Sequence, residues 1–131
     1  MINTDSLDTL DQFAVPNSKG TTAMCLIKEA ISAFDSAETD RTQAEVFCRQ
    51  ALENPAEASA WEASISFWQC EQALWRYRQA ISKLQQAGRF AMSPIYKKYV
   101  DLKLAECFEM AKACRTLQQN SQFREIRTNR N

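Results

Sequence analysis

Apolar residues recur along this chain at three- and four-residue intervals, and the period-two alternation of half-buried strands is missing. Helices are therefore expected to carry the fold. The first is expected to open near Thr21 or Thr22, with Ile27, Ala30, Ile31 and Phe34 on one face. Asp40 followed by Gln43 has the spacing of a capping box, which predicts a second helix over about 41–53 facing inward through Ala44, Phe47, Cys48, Ala51 and Leu52. Asn54, Pro55 and Glu57 then combine an N-cap amide, a proline at the first helical position and an early acid. They predict a long third helix over about 55–87, ending at Gly88. Ser93 and Pro94 repeat the same start signal for a fourth helix over about 94–119, which Asn120 and Ser121 are expected to end. Tyr96, Val100, Cys107, Met110, Cys114 and Leu117 lie on one seam of that helix, with Tyr99, Leu102, Leu104, Phe108 and Ala111 beside it. The expected architecture is all-α: an antiparallel bundle of about four main helices around a long central one. Residues 21–119 form the domain, 1–20 a flexible acidic leader in which Leu7, Leu10 and Phe13 offer one docking turn, and 120–131 a basic tail.

The long third helix is the most informative stretch. Phe67, Cys70, Leu74, Tyr77, Ile81 and Leu84 form a heptad-like seam, while Trp61, Trp68 and Trp75 stand seven apart on an adjacent line with Ile65 beside them. One neighbouring helix does not cover so broad an apolar arc. Core packing is the first expectation for the three Trp and an oligomer or partner interface the second, because a large exposed aromatic patch is unusual on a monomer.

Composition narrows the chemistry. The 131 residues include no His, so catalysis by Cys–His pairs or Ser–His–Asp triads, histidine-bound zinc and Glu-x-x-His di-iron sites all lack their imidazole. The five Cys (25, 48, 70, 107 and 114) include no C-x-x-C pair, and their odd number among apolar helical residues suits buried free thiols in a reducing compartment. Asn17 to Thr22 superficially resembles a phosphate loop, but the earlier Gly is absent and no strand precedes it. Glu106, Glu109 and Asp101 lie within helical reach of Lys98, Lys103 and Lys112, which makes surface ion pairs the simpler account than acid–base catalysis. The first residues carry acids where a signal peptide needs a basic then apolar run. The longest apolar-rich stretch, 63–70, is closed by Glu62 and Glu71. A soluble cytoplasmic protein without catalytic residues, metal or cofactor is the expectation.

The formal charge of zero hides a division. Residues 1–71 hold 12 acids and 4 bases, and residues 72–131 hold 12 bases and 4 acids. Such a split points to a charged partner or to pairing within the fold. Arg124, Arg127 and Arg130 recur every three residues, forming one row if the tail is helical. With Arg76, Lys97 and Lys98 they extend the candidate partner-binding set of Trp61, Trp68 and Trp75. Nucleic acid is a possible ligand for this basic half but not the favoured one, since the chain as a whole is neutral and carries no recognition signature.

Arg49-Gln-Ala-Leu52 recurs as Arg78-Gln-Ala-Ile81, with Lys28-Glu-Ala-Ile31 a looser copy. Ala44, Cys48, Ala51 and Ala73, Tyr77, Ala80 share a small-large-small spacing that resembles the second helix of a tetratricopeptide repeat. Pro55 with Trp61 is similar to that family's junction between repeats. The family would place a helix turn between Trp61 and Ala73, where this chain has no Gly or Pro, and the 33-residue period is not sustained. The resemblance covers about 40 residues and implies peptide binding. The leading expectation is a small non-enzymatic adaptor or regulatory protein that binds another protein and self-associates as a homodimer or larger assembly.

Overall fold

A computed structural model describes residues 18–53 and 58–129, with side chains placed for residues 22–53 and 61–120. The described residues form three helices, α1 (Ser18–Glu53), α2 (Ala58–Ala87) and α3 (Pro94–Asn129), and no strand. The chain is all-α, with three helices among the described residues rather than about four. Residues 1–17 of the expected leader, including Leu7, Leu10 and Phe13, and the Asn54, Pro55 and Glu57 start signals lie outside the described residues, while the leader's last three residues, Ser18, Lys19 and Gly20, belong to α1.

The missing boundary is the one placed at Asp40. Its capping side chain is used elsewhere, in an ion pair 3.0 Å from Arg76 of α2, and Gln43 accepts a hydrogen bond from Gln69 at 3.0 Å. The hydroxyls of Thr39 and Thr42 donate back to the carbonyls of Asp35 and Glu38, so neither opens a new turn. Arg41 bonds Glu38 and Glu45 on either side of the supposed break. Such pairs at three and four residues favour a continuous helix. With no Gly or Pro between Thr21 and Glu53, nothing stops propagation. Likewise, α3 runs past Asn120 and Ser121, whose modest helix propensity does not suffice to end it.

The α2–α3 turn follows the sequence closely. Gly88, Arg89 and Phe90 donate to the carbonyls of Leu84, Gln86 and Ala87 at 3.0–3.1 Å, which winds α2 down. No described glycine has a positive φ, so Gly88 is not a left-handed cap, and a Cβ there would meet only ordinary contacts at 3.5 Å. The start signal does hold: Ser93 Oγ accepts from Tyr96 N at 3.4 Å just ahead of Pro94.

The helices run up, down and up. Links between Ala44 and Ser66, Asp40 and Arg76, and Glu29 and Lys83 show that α1 and α2 are antiparallel. Their interface rests on small residues at heptad spacing: Ala30, Ala37, Ala44 and Ala51 of α1 face Ser66, Ala73, Ala80 and Ala87 of α2, all buried. Small side chains allow close backbone approach, and buried Ser66 Oγ donates to the Ala44 carbonyl at 2.7 Å. Larger residues complete the core with α3: Ile27 and Phe34 meet Leu74, Tyr77 and Leu84, with Tyr96, Tyr99, Val100, Cys107 and Cys114 closing it. Both α1 and α3 pack chiefly on α2, making α2 the centre of the molecule. The continuous helix through 66–73 also removes the turn that a tetratricopeptide repeat requires there.

Candidate functional site

The same heptad that fastens α2 to α1 decides where its tryptophans point. Each helical residue turns the chain by about 100°, so Trp68, two residues from both Ser66 and Cys70, lies on the opposite side from them. Ser66 and Cys70 are fully buried. Trp61, Trp68 and Trp75 are 65%, 61% and 55% exposed. Core packing, the first expectation for these residues, is therefore overturned. Alanine already fills the interior positions, and a Trp placed there would push α1 and α2 apart.

Neighbouring helices frame the tryptophan line without covering it. On one edge Glu71 and the Phe67 carbonyl accept hydrogen bonds from Gln118 of α3 at 2.5 and 3.5 Å. On the other edge Gln69 meets Gln43, and Arg76 meets Asp40, both on α1. The Arg76–Asp40 contact is an ion pair without hydrogen-bond alignment. Half-buried Ile65 and Phe67 join the Trp line to the core. A row of seven-residue steps drifts only about 20° per step, so the three indoles form a nearly straight ridge about 21 Å long.

Of the other predicted site residues with described side chains, Arg76 lies at the edge of this ridge and Lys97 and Lys98 lie away from it. Lys97 and Lys98 are exposed on the first turns of α3, where Lys97 borders a hollow of about 260 Å³ with Phe90, Met92 and Asp101. Arg124 and Arg127 lie on the last turns of the α3 backbone. Their side chains, and all of Arg130, lie outside the described residues. Part of the charge division is used inside the fold, because the Asp40–Arg76 and Glu29–Lys83 pairs join acidic α1 to basic α2.

A partly buried ionic network escaped sequence reasoning. Lys103, expected in a surface ion pair, is 1% exposed in the core. Its Nζ lies 2.7 Å from Glu106 Oε1 and 3.6 Å from the Phe34 ring centroid. Nearby, the Tyr77 hydroxyl donates to Glu38 Oε1 and accepts from Arg41 Nε at 3.1 Å. Arg41 also donates to Glu38 Oε2 at 2.8 Å and to Glu45. Burial disfavours the Glu38 carboxylate, but the bonds from Arg41 and Tyr77 and the charge of Lys103 outweigh it and hold its pKa below the usual range. Burial and the bond to Glu38 keep Tyr77 protonated. A readable signal existed: Lys103 sits between Val100 and Cys107 in the apolar seam, a position where a solvated lysine does not belong.

Beside this network the Tyr99 hydroxyl is buried without a partner among the described residues, and burial with nearby Asp35 pushes its pKa up to about 12. Of the five thiols, Cys25 is exposed against expectation, while Cys48, Cys70, Cys107 and Cys114 are buried. The Cys70 thiol touches Cys114 across α2 and α3, and that contact together with burial keeps it protonated. No group of His, Cys, Asp or Glu among the described residues is placed to hold a metal ion. No described helix is long and apolar enough to cross a membrane.

Comparison with protein-family models, curated proteins and solved structures found no match for this chain.

Proposed function

We propose that the chain is a small non-enzymatic adaptor or regulatory protein of the cytoplasm, working by protein–protein interaction through the outer face of α2 and self-associating there. The observation that carries this reading is the ridge of Trp61, Trp68 and Trp75, each more than half exposed on an ordered helix. Trp is enriched at the energetic centres of protein interfaces, because it buries a large area at little conformational cost. Three in line on a face that no other described helix covers form a binding surface rather than scattered surface apolarity. The non-enzymatic part draws on the absence of His and on the placement of the ionic network. Lys103 is shut inside the core and its neighbours are bonded to one another, leaving them badly placed to meet a substrate. A cytoplasmic setting fits four buried free thiols beside an exposed fifth.

Light scattering and acrylamide quenching of tryptophan emission test the reading together. At tens of micromolar the mass should exceed the 15.0 kDa of a single chain, and quenching should fall relative to submicromolar protein. Replacing all three Trp by Ser should restore the monomer with unchanged helicity. A wild type that stays monomeric at the highest concentration reached, with unchanged quenching, would overturn it.

A further inference from the structure

We infer that the occupant of the tryptophan ridge is a second copy of the same chain, docked antiparallel about a two-fold axis at Trp68; this rests on the interaction reading above and gives it a geometry. The first argument is charge. In the first half of α2 the charged residues are Glu62 and Glu71, and in the second half they are Arg76, Arg78 and Lys83. Two parallel α2 helices would set Glu62 against Glu62, Glu71 against Glu71 and Arg78 against Arg78, which is repulsive throughout. Turning one helix end for end about Trp68 brings the acidic half of each copy alongside the basic half of the other. Glu62 of one copy then comes level with Arg76 of the other, about 3 Å apart along the axis.

The second argument is shape and area. An isologous interface requires the same patch on both subunits to complement itself. About Trp68, Trp61 of one copy meets Trp75 of the other and Trp68 meets its own counterpart, so every indole finds an aromatic neighbour. A fully buried Trp hides about 150–250 Å², so three indoles a little more than half exposed offer about 350 Å² per chain and about 700 Å² for the pair. A stable interface buries about 1600 Å² in total, so the indoles supply a little under half and the flanks of the ridge the remainder. Neither α1 nor α3 covers the indoles, because both border the ridge at its edges and leave each Trp more than half exposed.

Cross-linking reads the arrangement directly. In a Cys25→Ser background, single variants Trp61→Cys, Trp68→Cys and Trp75→Cys are treated with a short bis-maleimide, and mass is measured in parallel. Trp68→Cys should cross-link to its own copy. Trp61→Cys and Trp75→Cys, each about 21 Å from its counterpart, should not do so alone, but should cross-link to each other when mixed. Cross-linking of Trp61→Cys to itself, or a dimeric wild type whose variants never cross-link, would overturn the antiparallel geometry while leaving self-association intact. A wild type that remains monomeric throughout the concentration series would overturn the interaction reading itself.

Discussion

Removing one hydroxyl group tests how far the polar network stabilises the bundle. Tyr77→Phe keeps the buried ring and its edge-to-face contact with Phe34, whose centroid lies 5.7 Å away at 63°. It deletes one charge-assisted bond to Glu38 and the acceptor for Arg41 Nε. Glu38 retains its bonds from Arg41, so the carboxylate is not left orphaned. The loss is then that of a hydrogen bond to a charged group, about 1.5–3 kcal/mol, rather than the larger penalty of a bare buried charge. For a chain of this length it corresponds to a fall in Tm of about 5–10 °C. Urea unfolding followed by far-ultraviolet circular dichroism measures it without relying on tryptophans that are already solvated. The acid dependence adds a second constraint. Because the folded pKa of Glu38 is depressed, its contribution is complete above the unfolded value of about 4.5 and is lost as pH falls through the folded one. The gap between wild type and Tyr77→Phe should be widest near neutrality and should narrow in acid, below the folded pKa of Glu38, to the part owed to the Arg41–Tyr77 bond. A gap at neutral pH smaller than about 0.5 kcal/mol, the low end for a single hydrogen bond, would refute this account. So would a gap that does not narrow in acid while both proteins remain folded.

Lys103 separates charge from volume. Lys103→Met, which fills similar space and leaves the partly exposed Glu106 carboxylate within reach of water, is expected to cost less than Lys103→Ala, which should lose about 2–4 kcal/mol through the cavity. Chemical denaturation of both variants checks the ordering, and a Met variant less stable than the Ala variant would contradict it. Thiol titration of the native protein with a maleimide should modify Cys25 quickly and the other four cysteines only on unfolding. Rapid labelling of two or more thiols would show that the core is open.

The fold class, the α2–α3 turn and the apolar seam of α3 were legible in the sequence because each rests on local rules: helical periodicity, Ser93 capping the helix and Pro94 starting it. The helix count was not. A capping box is a competition between side-chain bonds, and at Asp40 it was lost to Arg76, a residue 36 positions away that local reasoning does not place nearby. The tryptophans were misread for a related reason. The periodic pattern located two apolar stripes on α2, but choosing which faces inward depended on the alanines of α1, whose heptad meets the row containing Ser66 and Ala73. The candidate partner-binding residues divided in the same way: the three Trp share one face with Arg76 at its edge, while Lys97 and Lys98 belong to another helix.

The seam that α3 offers to the core repeats itself. Tyr96, Val100, Cys107, Ala111 and Cys114 differ in bulk but recur at helical spacing, so that sliding the helix by one turn, about 5.4 Å, would still bury apolar surface. What such a slide would not tolerate is the ammonium of Lys103, carried away from the Phe34 ring and from Glu38 into apolar contacts. One buried cation thus gives a repetitive surface a unique address. Its value would show less in the free energy of unfolding than in the number of ways the folded chain can be packed.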